Sequence, residues 1–423
     1  MSDSHLPKDM LGRSGLIKVS EAQAKILKRV GTLRPPIESI GLQAALDRVC
    51  AHPVRAPEDL PTDNRSTMDG YAVVSADTYG ASQSTPAYLE IAGEVQMGVA
   101  PTRSIHRGTC LKIPTGGILP AGADAVVMHE HTVEIDGSLI EVVRSVGAGS
   151  NVITRGDDIR AGDEAMASGK LLRPQDLGLL AGLGITEVTV FKPITVGIIS
   201  TGDEVVDYRD PLEPGKIRNI NSILLAGACS RLGALVRDYG IVSDRESVFF
   251  STVETAVSET DLVLFSGGSS VGMRDLGTQA IERLGDPGIL VHGVSLKPGK
   301  PVIIGLTGKT PVFGLPGHPV SAMVCFDLFV LPVVLSISGR STGGFEQRPV
   351  LTATLMRNVN SAAGRLDLVR VRLVEGNEGL AAYPILGKSG AISTLSRAHG
   401  YFLIAEDNQG CAAGETIEVH VYQ

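Results

Sequence analysis

Tryptophan is absent from the 423 residues, and aromatic residues make up 4% of them, which leaves few flat side chains on which nucleic-acid bases could stack. Positive charge is also scarce: 38 Lys and Arg stand against 46 Asp and Glu, a formal net charge of -8. A protein that coats a phosphate backbone has the opposite sign, so nucleic acid is excluded as a general partner. Cysteine is sparse as well. Cys50, Cys110, Cys229, Cys325 and Cys411 are far apart, odd in number and without a C-x-x-C pair. Neither a disulfide framework nor a structural zinc site is expected, and the thiols read as reduced in a cytoplasmic protein. The polar segment from Met1 to Gly15 lacks the apolar core of a secretion signal and reads as a loose tail. The longest apolar stretch, Pro319 to Ser338, contains Asp327 and Pro332 and stands alone, so it reads as a buried core helix rather than a membrane span.

What is present is a folded, multidomain chain. Hydrophobic residues are 43% and charged residues 20%, a globular balance, and the length suits roughly three domains. Glycine (50) and proline (23) are frequent without a repeat to account for them, so turns and functional loops are expected. Ser20-x-x-Gln23 offers a capping box ahead of Ala22, Ile26, Leu27 and Val30, which predicts a helix over 20–30. From Leu89 to Ser145 short apolar runs alternate with Gly and Pro, and Asp136-Gly137 between two runs predicts a tight hairpin in a β-rich domain. A helix from Pro174 to Ala181 is expected to pack with helix 20–30.

Beyond Lys192 strands and helices alternate. Strands are expected at 195–200, 234–241, 261–265 and 311–315, and helices at 222–232, 245–258, 276–284 and 319–338, implying a mostly parallel sheet covered by helices. After a boundary near Thr342–Gly344 the pattern becomes strictly alternating, as in Val369, Val371 and Leu373 against Arg370 and Arg372, so a small β domain closes the chain.

In an open parallel sheet ligands bind beyond the carboxyl ends of the strands. Three loops satisfy that rule: Ser200-Thr201-Gly202-Asp203-Glu204, Ser266-Gly267-Gly268-Ser269-Ser270-Val271-Gly272, and Gly314-Leu315-Pro316-Gly317-His318-Pro319. The second joins glycines and serines to a helix start, a cradle for a phosphate or other oxyanion; taken singly, an ordinary strand-to-helix turn explains it equally well. Glu204, Asp244 and Asp275 each follow a strand and could converge as oxygen ligands for Mg²⁺, although a surface acid or helix cap is the commoner fate of each. Lys297-Pro298-Gly299-Lys300-Pro301 holds two ammonium groups on a stiff turn, the local positive charge that an acidic protein needs for a phosphorylated substrate.

Together with these loops, Asn64-Arg65-Ser66-Thr67-Met68-Asp69-Gly70-Tyr71-Ala72 and the run from Thr115-Gly116-Gly117 through Pro120-Ala121-Gly122-Ala123-Asp124 to Val127 resemble the molybdopterin molybdenumtransferase family, which is related to the C-terminal domain of gephyrin. The resemblance runs from about residue 17 to the C-terminus. It implies a homodimer whose subunits combine a discontinuous helical domain (17–50 and 149–190), a β-rich domain (51–148), an α/β domain (191–340) and a small C-terminal β-barrel (341–423). It also implies Mg²⁺-dependent insertion of molybdate into adenylylated molybdopterin with release of AMP, small-molecule substrates, partner enzymes of molybdenum cofactor synthesis, and no nucleic acid or membrane.

By motif, the resemblance assigns functional positions to Asp69, Thr115, Glu204, Asp244, Asp275, Lys297, Lys300, Pro316 and Pro319. Glu204, Asp244 and Asp275 would hold metal, and Ser200, Thr201, Gly202, Gly267, Gly268, Ser269, Ser270 and Gly272 would bind the phosphorylated substrate. Asp69 and Thr115 would reach the cleft from the partner subunit. Three positions depart from the family pattern: Gly293 where a lysine is usual, His318 where asparagine is common, and Ser269 where valine is common, which bears on molybdate against tungstate preference. The alternatives are a non-catalytic pterin- or nucleotide-binding paralogue and a gephyrin-like scaffold, the latter expected to carry a further adenylylating domain.

Overall fold

Thr195–Thr201 and Leu262–Gly267 are apolar on both faces and buried along nearly their whole length, as strands covered by helices on either side must be. They lie at the centre of the computed structural model, which describes residues 16–267, 271–341, 348–376 and 379–422. The sheet has six strands in the order Leu235–Val242, Thr195–Thr201, Leu262–Gly267, Thr310–Pro316, Ile303–Thr307 and Pro287–His292. The first four run parallel; Ile303–Thr307 is antiparallel to both of its neighbours, so Pro287–His292 again runs with the first four. The expected parallel core is therefore extended by an antiparallel edge that helix–strand alternation does not reveal. Its local signal is Gly308, at φ +58°, in the first central position of the two-residue turn between Ile303–Thr307 and Thr310–Pro316, where glycine supplies the left-handed backbone a tight hairpin requires.

Two apolar layers flank this sheet. On one side Phe249, Val253 and Ile281 of helices Glu246–Glu259 and Val271–Arg283 pack on Ile199, Val263 and Phe265. On the other, Leu225 and Cys229 of helix Asn221–Arg231 and the apolar rod Pro319–Ile337 pack on Val196, Ile198, Leu264 and Phe313. The rod is mostly buried, as a core helix is expected to be. It is not uniform: α-helical Pro319–Cys325 and Leu331–Ile337 are separated by a π turn over Phe326–Val330.

The N-terminal helix, Val19–Val30, corrects two expectations. It buries Val19, Ala22, Ile26 and Val30 against the apolar rod, not against the 174–182 helix. Nor does Ser20–Gln23 form a capping box, because the helix starts at Val19 without a side-chain cap. Gln23 has a tertiary partner instead: its Nε2 donates to the Leu328 carbonyl at 2.7 Å. Pro332 has no N–H to offer the carbonyl four residues before it, and Gln23 reaches that carbonyl from the neighbouring helix.

Helix Pro174–Gly182 belongs to a separate small core with Ala45, Cys50, Met166, Leu172 and Val190. Strands Ile37–Gly41 and Glu187–Phe191 pair antiparallel beside it, so segments on either side of the β-rich stretch come together. That stretch forms a six-stranded sheet, and Thr132–Glu134 and Leu139–Val142 pair across the expected Asp136-Gly137 turn, with Gly137 at φ +78°.

At the C-terminus, Leu366–Gly376, Gly379–Pro384, Val350–Leu355, Thr416–Val421 and Gly400–Ile404 close into a five-stranded barrel. Val369, Val371, Phe402 and Val419 fill it. The barrel meets the α/β unit at several places, two of which bear on the site and the rod. Leu296–Lys297 pairs in parallel with Leu366 and Asp367, and Arg348 forms an ion pair with the buried Asp327 of the π turn while its guanidinium lies 5.1 Å from the Tyr422 ring centre. The expected boundary at Thr342–Gly344 and the tail from Met1 to Gly15 lie outside the described residues. All five cysteines are free thiols.

Candidate functional site

Parallel pairing brings the three strand-end loops to one edge. Thr201 lies opposite Gly267, and Gly267 opposite Pro316, with Val242 on the far side of Thr201. The strands approach so closely that a Cβ on Gly267 would lie 2.7 Å from the Thr201 carbonyl oxygen, so packing by itself favours glycine here. Ser200 and Thr201 are buried; Asn219 Nδ2 donates to Ser200 Oγ at 3.0 Å and anchors the first loop. Gly202, at φ +129°, turns the chain so that Glu204 folds back beside it. Gly268, Ser269 and Ser270 lie outside the described residues, and Gly272 falls in the first turn of helix Val271–Arg283.

Asp203, Glu204 and Asp244 gather at this edge. The Asp244 N–H donates to Asp203 Oδ1 at 3.4 Å. Burial raises the Asp244 carboxyl above its usual range, and the charges of Asp203 and Glu204 add to the rise. Asp244 Oδ1 is buried with no hydrogen-bond partner among the described residues. A crowded carboxylate with an unused acceptor suits a hard cation, and Mg²⁺ commonly takes one or two carboxylates with the remainder from water and substrate phosphates. Asp275 is exposed on helix Val271–Arg283. Among the described residues no group of three or more His, Cys, Asp or Glu is arranged as a ready-made metal cage, so the expected trio of Glu204, Asp244 and Asp275 is not assembled as ligands within this chain.

Beside these loops lies a cavity of about 670 Å³. Its floor is Phe265, Gly267 and Gly314; one wall is the Lys297–Pro301 turn, another is Pro316 to His318, and the third comes from the barrel through Ala362 to Arg365 and Ser389. Lys297, Lys300 and Arg365 all border it, so the net-negative chain presents a cationic crevice here. Pro319, buried, is the first residue of the apolar rod, and His318 Nδ1 and Ser389 Oγ are 2.8 Å apart across the rim. Glu204, Asp244 and Asp275 do not border the cavity; they belong to the same strand-end edge, further along it.

Asp69 and Thr115 meet each other. The Thr115 N–H donates to Asp69 Oδ1 at 2.7 Å, and this bond holds the Asp69 carboxyl below its usual range. The pair belongs to the β-rich unit and does not border the cavity of its own chain.

Sequence reasoning placed Asp203 in the first strand-end loop without a role of its own, and missed Arg365, Asp367 and Ser389. Asp203 adjoins Glu204 and could have been assigned with it; the other three come from the barrel, whose contact with the Lys297 turn no local spacing announces.

The comparisons with known proteins agree along most of the chain. Residues 17–184 match the MoeA N-terminal region (domain I and II), 197–336 the "Probable molybdopterin binding domain", and 352–422 the MoeA C-terminal region (domain IV). A Methanocaldococcus jannaschii protein named "Putative molybdopterin biosynthesis protein" is 37% identical over 394 residues, covering 91% of this chain and 92% of that one. The chain belongs to the MoeA family. A Haemophilus influenzae protein named molybdopterin molybdenumtransferase is 30% identical over 409 residues, 96% of this chain and 99% of its own. The crystal structure of the molybdopterin biosynthesis MoeA protein from Pyrococcus horikoshii OT3 superposes with TM-score 0.81 at 30% identity, covering 96% of this chain and all of that one. The expected architecture, an α/β unit with β-rich units and a closed barrel, is thus the fold of this family.

Proposed function

We propose that this MoeA-family chain is a molybdopterin molybdenumtransferase that inserts molybdate into adenylylated molybdopterin with release of AMP. The observation that carries the reading is the crevice in which Lys297, Lys300 and Arg365 face a glycine-bearing strand end. Cleaving the pterin–AMP phosphoanhydride builds negative charge on the departing phosphate, and molybdate is itself an anion; ammonium and guanidinium groups fixed beside both stabilise that charge where water does not compete. Gly267 to Gly272 at the helix start would receive the nucleotide phosphate. Pro316 and Pro319 fix the backbone of the third loop.

Glu204 and Asp244 would hold Mg²⁺, with Asp275 adding a ligand once substrate is bound; the ion would neutralise phosphate oxygens. In this reading Asp69 and Thr115 complete the cleft from the second subunit of a homodimer, and the domain limits are 17–50 with 149–190, 51–148, 191–340 and 341–423, with helix Val19–Val30 of the first segment packed on the core of the 191–340 unit. The protein would work in the cytoplasm beside the other enzymes of the pathway.

The test is to give the purified chain adenylylated molybdopterin, Mg²⁺ and molybdate. Molybdate-dependent AMP release with molybdenum recovered on the pterin is the expected result, and intact substrate overturns the reading. Gly293 favours one second reading. Its φ of +84°, with a Cβ position 2.8 Å from the Leu16 side chain, disfavours a longer residue where relatives of the resembled family carry lysine, and a binding paralogue would retain the pterin without releasing AMP.

A further inference from the structure

Asp367 is buried, with its side chain 5% exposed, yet it touches two cations that border the cavity. Arg365 grips it with Nε on Oδ1 at 2.8 Å and Nη2 on Oδ2 at 3.3 Å, while Lys297 Nζ approaches Oδ2 at 3.4 Å. The two cations come from different units, Lys297 from the turn of the α/β part and Arg365 from the barrel. Backbone pairing sets the meeting point, since Lys297 lies opposite Asp367 in the parallel pair of Leu296–Lys297 with Leu366–Asp367. Both cationic side chains are also partly open, Lys297 at 55% and Arg365 at 36%. A lysine so exposed on a flexible four-carbon stem has no preferred direction of its own; Asp367 supplies one.

We propose that Asp367 is a positioning residue for the oxyanion site: its buried carboxylate aims Lys297 and Arg365 into the cavity and so couples docking of the barrel to binding of molybdate. The inference rests on the functional reading above and names the group that organises its cations. Two other roles give different signs. If Asp367 only stitched the barrel to the α/β unit, its loss would lower stability and leave anion affinity alone. If it only offset positive charge, its loss would strengthen anion binding, because Lys297 and Arg365 would face the ligand without the Asp367 counter-charge.

The experiment is calorimetric titration of the full chain with sodium molybdate, alongside thermal unfolding, for wild type, Asp367→Asn, Lys297→Met and the double variant. Asp367→Asn is expected to weaken molybdate binding by about 10- to 100-fold, by analogy with the cost of removing a group that orients a metal-ligating side chain. That loss should shrink to less than about threefold in the Lys297→Met background, because residues acting as a unit are not additive. Equal or tighter binding by Asp367→Asn, or an undiminished loss in the double variant, overturns the inference. If Asp367→Asn does not fold, Asp367→Glu takes its place: it keeps the charge and shifts the carboxylate by one methylene, and an affinity unchanged from wild type overturns the proposal. A wild-type chain that binds no molybdate overturns the reading of the cavity and this inference with it, whereas wild-type binding matched by the variant overturns the inference alone.

Discussion

Replacing Gly267 with alanine perturbs the strand-end edge at its tightest point. The added Cβ would lie 2.7 Å from the carbonyl oxygen of Thr201, about 0.7 Å inside ordinary contact at 3.4 Å, and it would also overlap Thr201 Oγ1. The Thr201 hydroxyl oxygen can clear the Cβ only if that buried side chain changes rotamer, and the carbonyl belongs to a central strand bonded on both sides and moves only if the strands part. Overpacking of this kind costs about 1–3 kcal/mol, which a large buried sheet tolerates. The larger effect falls on function, because the displacement is centred where the strand hands over to the phosphate-cradle loop. A misplacement approaching 1 Å at such a site lowers turnover by as much as about 100-fold. The assay is AMP release at a temperature where chemical denaturation shows both proteins folded. Loss of at least about tenfold in turnover with a stability loss no greater than about 3 kcal/mol is expected. Wild-type turnover by Gly267→Ala would refute the argument that the close approach of these strands sets the site.

Gly227, exposed within helix Asn221–Arg231, has open space around a would-be Cβ; Gly227→Ala is expected to raise stability in urea by about 0.5–1 kcal/mol, and a loss would contradict the described packing. Gln23→Leu removes the donor to the Leu328 carbonyl and is expected to cost about 1 kcal/mol, whereas Lys25→Leu on the exposed face of the same helix should change little in the same denaturation measurement. Burial lifts the Asp327 carboxyl to about 6 against the opposing pull of Arg348. A carboxyl raised in the folded state contributes stability that grows as pH falls from above 6 toward its unfolded value near 4 and is lost as pH rises through 6. Wild type is therefore expected to gain stability relative to Asp327→Asn between about pH 7.5 and pH 5; a pH-independent difference would refute it.

Alternation of apolar strands and helices made the parallel core legible, because buried central strands must be apolar on both faces and Thr195–Thr201 and Leu262–Gly267 are. The rule that ligands sit beyond carboxyl strand ends located three loops that the structure aligns through Thr201, Gly267 and Pro316. The antiparallel edge was missed because Ile303–Thr307 and Thr310–Pro316 follow each other without a helix, and Gly308 alone marks the turn. Gln23 read as half of a local cap because its spacing from Ser20 fits one; a carbonyl about three hundred residues away, beside Pro332, claimed it instead. The same holds at the site. Lys297 was legible as a cation on a stiff turn, but Arg365 and Asp367 join it through a two-residue strand pairing between separate units, and no periodicity in either segment encodes that register.

The most direct test of the central claim is a crystal of this chain soaked with molybdate and AMP, with anomalous data collected at the molybdenum absorption edge. The account places the molybdenum peak inside the cavity, within hydrogen-bonding reach of Lys297 and Arg365 and beside the Pro316 loop. A peak at the Asp69–Thr115 pair of the same chain, or on an exposed surface away from the strand ends, would contradict it.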